Sequence, residues 1–524
     1  MFKRYKPSAN RVCFLIVLAI LISVTALNGC HSPDTPASPE AQLAEGRQLA
    51  EKYCVSCHRF TEPALIDRDS WIKRVLPTMG KQLGVQTYMG QYFSDAQSAI
   101  GTSEWQKIVA FYSKMAPVTL TMPKPAVKPL HDWAIFSVER PKKIDQSLPA
   151  MTTMISFNPT DKKIYTADAA SNLYKWDSQL KSTLVHQFDS PVTGLNYFTG
   201  ANTAIVTCIG NMAPVNLSKG KVLLLDLAGK TKNSKPVLIT DSLPRPVQTV
   251  AADFNRDGLT DYVVCGFGHD HGALYLVQQQ KDHSFKKLVI SSIAGGEQLI
   301  TGDFNNDGWP DVMCLFAQAD EGIRMFLNDH KGGFTTQTLL RFPPVYGSSS
   351  FQLVDFNHDG KPDILYTCGD NSDFSKVLKP YHGVYIFTNT GNWKFKQTYF
   401  YHMNGCTKAI AADFGRKGNL DIAAIAFFPD LKYHPEEGFT YLEQTAAGKF
   451  IPHELPVNDY GRWLTMEVAD IDHDGKDDIV LGNFSTTGRG LVNQTGFTPK
   501  WDMHEPIIVL KNISGAPVTK DGKR

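Results

Sequence analysis

The chain has 524 residues, of which 42% are hydrophobic and 20% charged, so it can bury large cores and should hold more than one domain. Disorder is excluded as the default state. Lysine plus arginine number 53 against 52 aspartates plus glutamates, so the molecule lacks the positive field that binding a phosphate backbone requires, and nucleic acid is excluded as an expected partner.

At the N-terminus, Lys3, Arg4, Lys6 and Arg11 precede an apolar run from Val12 to Leu27. Charge followed by a short apolar stretch is the pattern of a secretory signal, and the run is a little short for a membrane span. Leu27-Asn28-Gly29-Cys30 resembles the bacterial lipobox. That resemblance implies a signal peptide over 1–29, cleavage before Cys30 and lipidation of its thiol. Either an uncleaved anchor or an ordinary signal peptide is the alternative, and export is common to all three. His31 rather than Asp after the cysteine implies, by the sorting rule of such lipoproteins, the outer membrane, and so the periplasmic or cell-surface side of it. Residues 30–42 are rich in Ser, Pro and Ala, offer no apolar face to bury and read as a flexible tether.

An amphipathic helix is expected over Ala44 to Lys52. It leads into Cys54-Val55-Ser56-Cys57-His58, the attachment pattern for c-type haem, in which two thiols at helical spacing reach the vinyl groups and the adjacent imidazole ligates iron. The rival is a Cys54–Cys57 disulfide, which explains the thiols but not the histidine. A closing helix is expected over Glu104 to Lys114. The region 43–116 resembles small monohaem c-type cytochromes, an all-α class in which a Met that follows a Trp and an aliphatic helix supplies the sixth ligand. In Trp71 to Met79 that resemblance points to Met79, with Met89 and Met115 as competitors. Thioether ligation raises the potential and closes iron to substrates, which implies electron transfer. Four prolines with interspersed lysines make 117–130 a semi-rigid linker.

The remaining chain is organised by an internal repeat. It reads Asp253-Phe254-Asn255-Arg256-Asp257-Gly258-Leu259-Thr260-Asp261, then Asp303, Asn305, Asp307 and Asp311, then Asp355, Asn357, Asp359 and Asp363, and finally Asp470, Asp472, Asp474 and Asp478. Calcium takes six to eight hard oxygens, and alternating acids and amides before a Gly at the sixth place turn positions one, three and five inward together, with Asp at position nine completing the shell. About four calcium ions are expected. A further copy beginning at Asp413 has Gly415 and Lys417 at positions three and five, and this loop is expected to lack metal, with Lys417 standing where the cation would be.

The copies recur every 50 to 58 residues, the period of one four-stranded propeller blade. They resemble the FG-GAP and VCBS repeats of integrin α-chain propellers and of many bacterial exported proteins, which implies that each loop joins the first two strands of a blade. In that frame Val250 to Phe254, Tyr262 to Cys265, Ala273 to Gln278 and Phe285 to Ile290 are the strands of one blade. Two metal-free blades are expected over Met154 to Trp176 and Val192 to Leu225. That gives a seven-bladed all-β propeller over 131–514, with 515–524 as a tail. The last blade ends at Ile507 to Asn512, and Trp133 to Glu139 is expected to supply its missing strand and close the ring.

The long connections on the face opposite the acidic loops carry His269, Asp270 and His271, then Asp370 to Asp373, Lys379, Tyr381 and His382, then Lys432, Tyr433, His434 and Glu436. Between blades lie Arg245, Arg341, Lys408, Arg462 and Trp463. Loops around a channel mouth are the default ligand site of a propeller, and Asp370, His382, His434 and Arg462 are the candidate catalytic groups. The alternative is solvated loops using these groups in local turns. His269 and His271 on a loop are weak evidence for a transition metal. Cys208, Cys265, Cys314, Cys368 and Cys406 are expected as small buried hydrophobes.

Three functions follow as expectations. The first is an exported haem electron-transfer protein whose propeller binds a small-molecule substrate or docks a redox partner protein, with an oxidoreductase activity left open. The second is a calcium-stabilised recognition or adhesion module with an accessory haem. The third is a quinone-cofactor dehydrogenase, disfavoured because the repeats lack that family's recurrent tryptophan docking motifs.

Overall fold

The computed structural model describes residues 38–144, 147–198, 202–228, 235–372, 375–485 and 497–515. The signal segment, Cys30, His31, Asp373 and the C-terminal tail from 516 lie outside the described residues.

The N-terminal part is mostly helical, and it departs from the expected all-α class by a short antiparallel hairpin, Gln86–Tyr88 with Gln91–Phe93. Pro39–Cys54 forms α1, begun by Ser38, whose side chain accepts from the Ala41 amide, with Pro39 at the first helical position, where a missing N–H costs nothing. A helical turn Arg68–Ser70 continues through a π-helical stretch Trp71–Val75 into α2, Leu76–Gln82; Thr102–Met115 forms α3. Ala50, Ile66, Trp71, Val75, Leu76, Val85, Trp105, Ile108, Phe111 and Tyr112 bury one core between them, with Met79 packed on its side. Gly46 lets α1 and α3 meet: a Cβ there would stand 2.6 Å from the Lys107 carbonyl oxygen.

From Thr152 onward the chain is β, in seven four-stranded antiparallel sheets. Blade one runs Thr152–Asn158 to Ser182–Gln187 and blade two Val192–Tyr197 to Val237–Leu243. Blades three to six start at Pro246–Ala252, Gly296–Gly302, Ser348–Val354 and Cys406–Ala412. Blade seven joins Trp463–Ala469, Asp478–Asn483 and Ile507–Asn512 to Phe136–Glu139. Phe136 pairs with Asn512 and Glu139 with Val509, so the strand from before the first blade closes the ring as expected, starting at Phe136 rather than Trp133.

The second strands show why the sequence folds this way. Asp261–Gly266, Asp311–Phe316, Asp363–Cys368, Asp421–Ala426 and Asp478–Asn483 are buried along their whole length, each a short apolar run opened by the ninth-position aspartate, as expected of a strand covered on both faces. The first strand of blade three begins at Pro246, four residues before the expected Val250, whereas that of blade two begins at Val192 as expected; the inner strands carry polar side chains into the channel. Gln298 donates from Nε2 to the Phe351 carbonyl at 2.8 Å and accepts from the Phe351 amide at 2.9 Å, so each inner strand is tied to the next. The five cysteines of the propeller are buried and unpaired, Cys265 and Cys314 lying 3.7 Å apart, sulfur to sulfur.

Candidate functional site

The acidic loops share one backbone. Position four is left-handed in all five, at Arg256, Asn306, His358, Arg416 and His473, and so is the glycine at position six, with φ between 78° and 83°. In the first loop Asp253 accepts from the Asp257 and Gly258 amides at 3.1 and 2.9 Å, and Asn255 accepts from the Asp257 amide at 3.1 Å. The second and third loops repeat this pattern through Asp303 and Asn305, and through Asp355 and Asn357. Neighbouring loops touch on one rim of the ring: the Arg256 guanidinium donates to the Gly308 carbonyl and lies over the Trp309 ring.

The donor set fits a hard cation. Asp261 is fully buried; its Oδ1 accepts from the Gln279 amide at 3.0 Å, while its Oδ2 has no partner. Burial, with Asp257 and Asp253 as neighbouring negative charges, pushes its carboxyl up to about 6. Asp470 Oδ1 is likewise buried without a partner, and Asp470, Asp472 and Asp474 bring one oxygen each within 4.8 Å of one another. Unsatisfied anionic oxygens facing a cluster of like charge are what a bound cation relieves.

Two loops differ. In the copy at Asp413, Lys417 Nζ pairs with Glu443 at 2.5 Å, and its stem crosses the loop so closely that a Cβ on Gly415 would stand 3.3 Å from Lys417 Cε. In the copy at Asp470, Lys511 reaches in from the third strand of blade seven, with Nζ 2.5 Å from Asp472 and 2.7 Å from Asp478. Sequence reasoning missed Lys511, which stands 33 residues beyond Asp478.

At the end of α1, Cys54 is half-buried, Cys57 exposed, and the two are not joined. Burial, then Cys57 nearby, pushes the Cys54 thiol up to about 11. His58 Nδ1 lies 2.8 Å from the Arg59 carbonyl oxygen, which fixes Nδ1 as the protonated nitrogen and leaves Nε2 as the lone-pair donor. Met79 is half-buried on the helical core. Met89 sits at a hairpin tip, 84% exposed, and Met115 at the end of α3, 52% exposed, so of the three methionines Met79 alone packs within the core cluster.

This helical part rests on the face opposite the acidic loops. Arg59 donates to the Arg341 carbonyl at 2.8 Å, Tyr381 donates to the Leu65 carbonyl at 3.1 Å, and Ser70 donates to the Ser375 hydroxyl at 3.3 Å. Val345, between blades four and five, enters the helical core. Tyr381 stacks on Tyr346 at 4.6 Å.

The candidate groups of that face are dispersed. Asp370 is exposed and accepts from the Ser372 amide and hydroxyl at 2.9 and 2.7 Å. His382 is buried, its Nε2 unpartnered, and burial, Lys379 and His402 hold it well below the usual imidazole range. His434 is exposed before a short 3-10 turn. No hydrogen bond or ion pair joins any two of these three. Arg462 is buried with its guanidinium 3.6 Å from the Phe427 ring centroid, and burial brings it down to about 10. His269 and His271 do not converge on a metal geometry; Asp270 between them pairs with Asn216 through two hydrogen bonds.

The channel pairs Lys408, which the sequence singled out, with acidic groups it did not. Lys408 and Glu467 line a cavity of about 280 Å³ with Gln298, Ser350 and Gln352. Burial lowers Lys408 and raises Glu467, and each charge offsets the other's shift. At the mouth Glu297 is pushed up to about 7 by burial and by Asp370.

A family model described as an FG-GAP-like repeat matches residues 253–314 and 303–366, and the chain therefore carries FG-GAP repeats on a seven-bladed β-propeller. Integrin alpha-PS5 of Drosophila melanogaster is 28% identical over 151 residues, covering 26% of this chain and 15% of that protein. Integrin alpha-7 of Homo sapiens is 29% identical over 130 residues, covering 21% and 11%. The match thus spans less than a fifth of either relative. Among solved structures, the β-propeller domain of Myceliophteria thermophila Cps50 (Swd1) gives a TM-score of 0.42 at 11% identity, over 66% of this chain and 97% of that one. The WD40 β-propeller domain of Doa1 gives 0.43 at 11%, over 74% and 99%.

Proposed function

We propose that this chain is an exported electron-transfer protein, lipid-anchored through Cys30, in which the helical part is a c-type cytochrome and the propeller a calcium-bound platform. Cys54 and Cys57 would hold the haem by thioether bonds, and His58, through Nε2, and Met79 would ligate its iron. A haem so held supplies one-electron chemistry at a raised potential and offers no open coordination site for substrate. The observation that carries this reading is the pair of unjoined thiols one helical turn apart beside an imidazole whose Nδ1 is already committed.

Calcium at the loops headed by Asp253, Asp303, Asp355 and Asp470 would neutralise the crowded carboxylates and brace one rim of the ring. The opposite face, where the helical part rests, would bind a substrate or dock a redox partner, and an oxidoreductase activity there stays open. A second reading is a calcium-stabilised recognition module with an accessory haem, favoured by the local similarity to integrin α chains.

Optical spectra of the reduced and oxidised full chain test the electron-transfer reading. A low-spin spectrum with a sulfur-to-iron charge-transfer band, lost in Met79→Ala and kept in Met89→Ala and Met115→Ala, is the expected result. A band that survives Met79→Ala and disappears in either of the other two would reassign the ligand.

A further inference from the structure

The linker is laid against the outer edge of blade six. Leu130 donates to the Pro452 carbonyl at 2.9 Å and accepts from the Glu454 amide at 2.8 Å, a parallel bridge beside the edge strand Lys449–Glu454. Asp132 then meets His453 Nδ1 at 2.7 Å, so the two residues flanking His131 are both fixed. The connection between the second and third strands of the same blade, ending in the turn Pro435–Gly438, brings Glu436 to the same place.

His131, Glu436 and Glu454 therefore converge from three separate segments, one donor atom of each lying within 4.8 Å of the others. Glu454 is the deep member, 8% exposed. Its carboxylate lies 3.3 Å from His131 Nδ1 and has no hydrogen bond or ion pair outside the cluster among the described residues. The neighbouring Glu437 is already engaged by Asn404 Nδ2 at 3.0 Å and adds only like charge.

We propose that His131, Glu436 and Glu454 bind a divalent transition-metal ion of the zinc class, which clips the linker to blade six. An imidazole with two carboxylates is a borderline donor set that favours zinc-like ions over calcium. Three protein ligands with His131 at the surface leave one position to water. The ion would fix the point at which the helical part's tether enters the propeller. This site is independent of haem and of the acidic loops.

The test is calorimetric titration of zinc into the full chain, thiols alkylated and calcium in excess, with proteinase K cleavage of 117–130 followed in parallel. One zinc per chain is expected, with affinity reduced about tenfold or more in both His131→Ala and Glu436→Gln, and with zinc slowing cleavage of the linker in the unmutated chain only. Glu436 is partly exposed, so its variant should fold. Zinc uptake equal in all three proteins would overturn the site, as would no uptake together with a lowered Tm in His131→Ala, the signature of an ion pair only. Zinc bound with linker cleavage unchanged would overturn the clip.

Discussion

At the scale of single residues, burial decides what each titratable group can do. His382 is held neutral in the fold, whereas in the unfolded chain it takes a proton near 6.5. The unfolded state then binds more protons below that pH, so this residue's contribution to stability is lost as pH falls through about 6.5. Because Nε2 has no partner, His382→Leu leaves no orphan at that atom and should flatten the decline in Tm between pH 6.5 and 5. Thermal melts of both proteins across that range check it; parallel curves would contradict it. Lys511 supports a second prediction. Its ammonium lies between Asp472 and Asp478, so calcium at that loop must displace it, and this should be the weakest of the four sites. Lys511→Met should tighten the last step of a calcium titration by about tenfold or more. The acidic ligands were legible in the sequence because they lie within nine residues of one another. Lys511 and Glu297 were not, because the register of the third strand and the closure of the channel bring them to their partners.

At the scale of elements, the repeat identified the blades, and the physical reason is visible in the second strands. Each is opened by an aspartate whose oxygen caps the third strand, as Asp311 does for the Asn328 amide at 2.8 Å and Asp363 for the Asn389 amide at 2.8 Å. One residue thus serves the loop and the sheet together. The start of the first strand of blade three was less legible, because the strand begins at Pro246 with Gln248 inside the channel, where Gln248, Gln298 and Gln352 are each bonded to the next blade. Closure by Phe136–Glu139 makes a prediction at this scale. A chain starting at residue 131 keeps that strand and should stay free of aggregates with a cooperative melt. One starting at residue 141 exposes the edge of Ile507–Asn512, an apolar strand buried on both faces, and should aggregate on size-exclusion chromatography. Equal behaviour of the two would show that the closing strand is dispensable.

At the scale of the whole molecule, the helical part rests on the rim opposite the acidic loops, through Arg59, Leu65 and Ser70 on one side and Arg341, Val345, Ser375 and Tyr381 on the other. Nothing local in the sequence marks these contacts, which join residues roughly three hundred positions apart and include backbone carbonyls. The arrangement divides labour between the two rims, with acidic loops on one and the cysteine-bearing unit on the other. On the proposed function, the cysteine-bearing unit carries covalent haem. Mass spectrometry of the peptide containing Cys54, Cys57 and His58, taken from the full chain expressed with a haem-attachment system, tests it most directly. A peptide heavier by one haem, with both thiols blocked to alkylation and that mass lost in Cys57→Ala, is expected; a peptide of unmodified mass with both thiols open to alkylation would show that no haem is attached.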